Sequence, residues 1–170
     1  MAYNISEEKK RAERLLEKCR RILEVEKIPV SDRIDGICIN HRVRSRFGKC
    51  TKTADSYIIE LSGKLMEAED KEIETVILHE LLHTCPRCLN HGSRWKAYAE
   101  RVNQKYGYRI TTRTSYEALG LVAPESREKV KYLVVCSKCG MEYPRRRKCN
   151  LVENVYRYTC GKCGGKLEIR

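Results

Sequence analysis

The sequence predicts an α+β fold, with helices packed on a small sheet over residues 1–125 and a small β unit over residues 126–170. Three observations carry this expectation. In the first part, segments with apolar residues at helical spacing alternate with short β-branched runs. In the second, two Cys-x-x-Cys pairs stand twenty residues apart. The charge changes too: residues 1–125 hold 23 basic and 19 acidic side chains, whereas residues 126–170 hold twelve and four.

The first element is a helix. Ser6 can cap it, Glu7 and Glu8 suit its positive end, and Lys18, Arg20 and Arg21 fall toward the other. Ala12, Leu15, Leu16, Cys19, Ile22 and Leu23 follow one face, and Pro29 stops the pattern. Ile37–Asn40 and Tyr57–Leu61 read as strands, and Arg42–Cys50 between them as a strand or hairpin with a basic face. A second helix is expected from Asp70 to Thr84, acidic at its start and blocked by Pro86. Ser93 can cap a third, whose inward stripe is Trp95, Tyr98, Ala99 and Val102 and whose end is Gly107. Residues 111–130 lack a clean period and hold the expected boundary. Beyond it, Tyr132–Val135 and Val155–Tyr158 read as strands, each running into a cysteine pair.

The most informative string is His79-Glu-Leu-Leu-His83. Histidines four apart share a helix face and can grip one ion. A zinc ion lowers the pKa of a bound water toward ~7, and Glu80, beside it without being a ligand, can take the proton. A catalytic zinc needs a third protein ligand and an open position. His91, eight residues on across a loop containing Pro86, is the expected third ligand, and Glu100 on the next helix is its rival. Cys85 and Cys88 read as a pair that stabilises the loop, since two added thiolates would close the site. Pro86 stands where a metzincin needs glycine, which excludes that class.

Cys136, Cys139, Cys160 and Cys163 have zinc-ribbon spacing, and a segment so poor in large apolar groups needs such a staple. Cys149, at the far tip, is not expected to ligate. The sequence thus calls for two zinc ions, one catalytic and one structural. Arg145, Arg146, Arg147 and Lys148 lie between the two cysteine pairs near Tyr143, Tyr156 and Tyr158, a composition suited to phosphate and an unpaired base.

Over residues 5–167 the chain resembles the SprT-like (Spartan-related) zinc metalloprotease family, in its bacterial form with a C-terminal zinc ribbon. The resemblance rests on His79–His83, His91-Gly92 with Trp95, Arg46–Cys50, Ile59–Ser62 and the Cys136–Leu167 stretch. It implies a minimal zincin-like domain with His79, His83 and His91 as ligands and Glu80 as base. It also implies a protein or peptide substrate linked to DNA, single-stranded or damaged, as in repair of DNA–protein crosslinks. The competing class is a non-enzymatic zinc-ribbon adaptor for DNA or transcription, whose first metal site is structural.

Composition narrows the rest. With 34% charged and 41% hydrophobic residues and only fourteen Gly and Pro, the 170-residue chain is not disordered or collagen-like. No apolar run reaches the ~18 residues that span a bilayer, and the charged N-terminus lacks a secretory signal core. A soluble, monomeric cytoplasmic protein without a membrane partner is expected, associated with the nucleoid if the source is bacterial.

Overall fold

The computed structural model describes residues 5–123 and 130–170. The chain divides into two compact units, Met1–Ala123 and Pro124–Arg170. The boundary expected at 125–126 lies outside the described residues.

In the first unit, α1 (Ile5–Val25) buries Ala12, Leu15, Leu16, Cys19 and Leu23 and leaves Ile22 at the edge of the core. The helix is already formed at Ile5, so Ser6 stands inside its first turn rather than capping it. Three strands follow: β1 (Ile34–Asn40), β2 (Gly48–Lys52) and β3 (Tyr57–Ser62). Their order is β1-β3-β2, with β1 parallel and β2 antiparallel to the central β3. Ile59 and Leu61 of β3 are fully buried, as a central strand requires. The expected basic hairpin over Arg42–Cys50 is mostly connection: only its last residues, from Gly48 on, enter the sheet.

A short 3-10 turn (Gly63–Glu67), capped by the Ser62 hydroxyl, leads into α2 (Asp70–Leu82). Asp70 and Glu72 face the positive end of α2, and nine of its thirteen residues are buried. Its start is clamped by Arg11 of α1, which donates to Asp70 Oδ1 at 2.7 Å, to the Met66 carbonyl at 2.8 Å and to the Ala68 carbonyl at 2.9 Å. Its end comes at His83, just before the expected Thr84. There the Thr84 hydroxyl donates to the Leu81 carbonyl at 2.7 Å and accepts from the Ser31 N–H at 3.1 Å. Helix α3 (Ser93–Tyr106) buries Trp95, Ala99 and Val102. Gly92, not Ser93, is its N-cap, and no side chain caps it. Gly107 closes it in the left-handed conformation at φ 66°, which only glycine adopts without cost.

The second unit is a three-stranded antiparallel sheet, β5-β4-β6, formed by β4 (Tyr132–Cys136), β5 (Glu142–Arg145) and β6 (Leu167–Ile169). Val155–Tyr158 is not a strand: Val155–Arg157 form a 3-10 turn after the one-turn helix α4 (Asn150–Glu153). The β preference of Val and Tyr yields here to the chain reversal that brings Cys160 beside Cys139. Cys149 is the N-cap of α4 and packs on the small core of Val134, Val152 and Leu167. Among the described residues, no helix is long and apolar enough to cross a membrane.

Candidate metal centres and active-site cleft

Two groups of metal-ligating side chains converge, one in each unit: His79, His83 and His91 in the first, Cys136, Cys139, Cys160 and Cys163 in the second. The ligating atoms of each group lie within 4.8 Å of one another.

The histidine centre is assembled by α2 and the turn behind it. His79 and His83, four residues apart, present their rings on one face of the helix end, and the 84–92 turn carries His91 back over them. His79 Nε2 lies 3.3 Å from His83 Nε2 and 3.0 Å from His91 Nε2. The far side of two rings is fixed as well. His79 Nδ1 meets the Thr111 carbonyl and His83 Nδ1 the Cys88 carbonyl, each at 2.8 Å. A carbonyl only accepts, so both Nδ1 atoms carry the proton and both Nε2 atoms expose lone pairs. Two lone pairs facing each other at 3.3 Å repel unless a cation lies between them. Nitrogens bound tetrahedrally at ~2.05 Å to one zinc would stand about 3.3 Å apart, so the spacing fits that ion. Burial, with the positive charge His83 and His91 would carry, pushes His79 down to about 4, and burial lowers His91 as well. His79 is therefore neutral at pH 7, the form that binds metal.

Trp95 of α3 packs against all three rings at centroid distances of 4.8, 5.7 and 4.6 Å. Its buried indole N–H has no acceptor among the described residues, so ring packing alone holds it there. Glu100 stays out of the centre and accepts from Gln104 on the surface. Cys85 and Cys88 are buried in the turn and outside the histidine group; the thiol of Cys85 donates to that of Cys88, and the Cys88 carbonyl supports His83.

Glu80 is 7% exposed. Burial lifts its carboxyl to about 7, against the pull of a Cys50 backbone N–H and the Arg46 charge. With His79 it lines a cleft of about 390 Å³ whose other walls include Arg46, Phe47, Gly48, Arg113 and Tyr116. Phe47 and Tyr116 meet edge to face at 4.6 Å, and the Tyr116 hydroxyl donates to the Arg44 carbonyl. Among the described residues, Glu80 is the one carboxylate lining this cleft. A slightly larger groove of about 430 Å³, along α1 at Arg14, Ile22 and Val25, is lined by no histidine or cysteine among the described residues.

In the second unit, Cys136 Sγ lies 3.5 Å from Cys163 Sγ, and Cys139 Sγ 3.6 Å from Cys160 Sγ. Thiolates at ~2.3 Å from one zinc stand about 3.8 Å apart, so this donor set fits as well. The Tyr143 hydroxyl bonds Cys160 Sγ at 3.2 Å and, with backbone N–H groups of Lys162 and Cys163, draws that thiol down to about 6 despite its burial. Of the basic cluster, Arg145 ends β5, and Lys148 pairs with Glu153 at 3.7 Å. Tyr156 is 74% exposed, with the Arg157 guanidinium 5.7 Å from its ring centre.

Sequence reasoning missed the carbonyls of Thr111 and Cys88, Gly48 and Tyr143. Backbone carbonyls leave no trace in side-chain pattern. Gly48, a lone glycine at the edge of a strand-like run, was the readable signal of a close approach.

The SprT-like family model matches residues 16–115. Among similar proteins, each named Protein SprT-like, one from Bacillus cereus is 32% identical over 134 residues, covering 76% of this chain and 78% of its own length. One from Geobacillus sp. is 30% identical over 133 residues, with the same coverage. One from Lactococcus lactis subsp. lactis is 35% identical over 105 residues, 61% of each chain. With a family match over more than half of its length and relatives of this identity, the chain belongs to the SprT-like family.

Proposed function

We propose that this chain is a zinc-dependent metalloendopeptidase of minimal zincin-like type, acting on DNA-associated or DNA-crosslinked proteins, with the basic C-terminal unit docking nucleic acid. The observation that carries the reading is the meeting of three imidazole nitrogens, two with lone pairs fixed inward, beside a cleft whose one carboxylate among the described residues is Glu80. His79, His83 and His91 would hold the catalytic zinc, and Cys136, Cys139, Cys160 and Cys163 a structural one. When bound, the catalytic ion would supply Lewis acidity toward a substrate carbonyl and a water.

The chain's own residues do the rest. Thr111 and Cys88 hold the His79 and His83 rings in the tautomer that leaves Nε2 free. Glu80 takes a proton from the attacking water and returns it to the leaving amine, the double duty expected of a single general base in peptide hydrolysis. Phe47 and Tyr116 give the cleft an apolar wall against which a peptide can desolvate. Among the described residues the histidine group gains no sulfur ligand, which favours an open catalytic site over the sealed one an adaptor would need. A role at DNA is supported by the excess of basic residues beyond 125 and by exposed Tyr156 beside Arg157.

The test is digestion of casein and histone by the zinc-loaded protein, with and without single-stranded DNA, alongside Glu80→Gln. Cleavage by the wild type and none by Glu80→Gln, at equal zinc content, is the expected result. Equal turnover by both proteins overturns the assignment.

A further inference from the structure

We propose that the edge strand β2 positions Glu80: the missing side chain at Gly48 leaves the volume that the Glu80 carboxylate occupies, and the Cys50 backbone N–H holds it there. This rests on the reading of Glu80 as the proton acceptor and adds how that residue is aimed. Residues 48 and 50 are two apart on the outer strand of the β1-β3-β2 sheet, paired to Leu61 and Ile59 of β3. Both contacts run to one helix, α2, which also presents His79 and His83.

A Cβ at position 48 would fall 2.5 Å from Glu80 Oε1, 2.9 Å from Glu80 Cγ and 2.8 Å from Val76 Cγ1. Carbon contacts that short do not exist, so any side chain there must displace something. The glycine is not needed for backbone reasons: residue 48 does not have a positive φ, unlike Gly36 or Gly107. Its requirement is the approach of α2. Of the three atoms met, the carboxylate oxygen ends a flexible side chain, whereas Val76 is buried and branched. A methyl at 48 therefore pushes the Glu80 side chain aside, the one partner free to swing away, and also requires Val76 to give by a few tenths of an ångström. The Cys50 N–H supplies the matching attraction, because an edge strand has donors that no neighbouring strand uses. Gly48 and Cys50 touch no reacting atom; they are positioning residues, and a displacement of about 1 Å at a reacting group costs on the order of 100-fold in rate.

The experiment compares Gly48→Ala, Glu80→Gln and wild type as zinc-loaded full-length proteins, with kcat and KM for casein, zinc content and thermal unfolding. The expected result is a kcat lowered at least tenfold in Gly48→Ala, with KM and zinc content close to wild type. Wild-type kcat in Gly48→Ala, with Glu80→Gln inactive, overturns the positioning proposal and leaves the proposed function standing. Full activity in Glu80→Gln overturns the proposed function itself, and this inference with it. If Gly48→Ala fails to fold, Val76→Ala, which removes the branched contact, is combined with it: a kcat at least tenfold below that of Val76→Ala alone supports the proposal, and an equal kcat overturns it.

Discussion

Beneath the histidine-bearing end of α2, a buried carboxylate joins three parts of the first unit, and two substitutions there should differ in a way that exposed ion pairs do not. Glu74, with its side chain 2% exposed, accepts from Lys18 Nζ of α1 and from the Tyr108 hydroxyl, each at 2.7 Å. Lys18 is the one cation paired with it among the described residues, and its own side chain is 58% exposed. Glu74→Gln keeps an acceptor for Tyr108 and removes only the charge assistance, a cost of about 1 kcal/mol. Lys18→Met leaves the carboxylate buried without its cation. Breaking a buried pair costs about 3–5 kcal/mol when both partners are enclosed; because Lys18 is largely in water, about 2 kcal/mol is the proper expectation. At about 4 °C per kcal/mol, the melting temperature should fall by about 4 °C for Glu74→Gln and about 8 °C for Lys18→Met. Thermal unfolding followed by circular dichroism at neutral pH measures both. The reasoning is refuted if Lys18→Met, the substitution at the exposed position, is the milder of the two.

Four further outcomes are expected. His91→Ala, which removes the nitrogen 3.0 Å from His79, should weaken zinc binding by at least ~100-fold in competition with a chromophoric chelator. Tyr143→Phe, which removes the hydroxyl at Cys160, should weaken the second unit's zinc about tenfold and speed its release to a thiol-alkylating reagent. Arg14 and Arg11 hold the Asp70 carboxyl below its ordinary range, so its stabilisation is complete above pH ~4 and lost as pH falls through the lowered folded-state value. With the Asp70 side chain 43% exposed, Asp70→Asn should lose under ~1 kcal/mol at pH 7 by urea unfolding, and the difference should close in acid. Replacing Arg145, Arg146 and Arg147 by Ala should flatten the salt dependence of single-stranded DNA binding by about 2 in log–log slope, read by fluorescence anisotropy.

The convergence of both candidate metal groups was legible because its signal is spacing: His79 and His83 one turn apart, the cysteines in pairs followed by glycine. The buried faces of α1 and α3 were legible because helical period survives in composition. What tertiary packing decides was not. Arg11 reaches 55–59 residues along the chain to clamp the start of α2, and nothing local to Arg11 distinguishes it from Arg14 or Arg20. Ser93 is the better capping side chain, but α3 is entered through an extended Gly92 and so starts one residue early for that hydroxyl to serve. Val155–Tyr158 has strand composition, yet closing the sulfur cluster requires a turn there, and four thiols drawn together outweigh a preference that spans only ~1 kcal/mol. The turn behind α2 held a different surprise. Cys85 and Cys88 looked relevant for their sulfur, whereas the feature of Cys88 that reaches the histidine centre is its carbonyl.

Trp95 is the protein's only tryptophan, and it stands within 6 Å of three imidazoles by ring centres. Emission excited beyond the tyrosine absorption band therefore originates at the histidine centre. Titrating cobalt or copper into the apoprotein should darken that emission as the histidine centre fills. Occupancy of the histidine centre can thus be followed without a label.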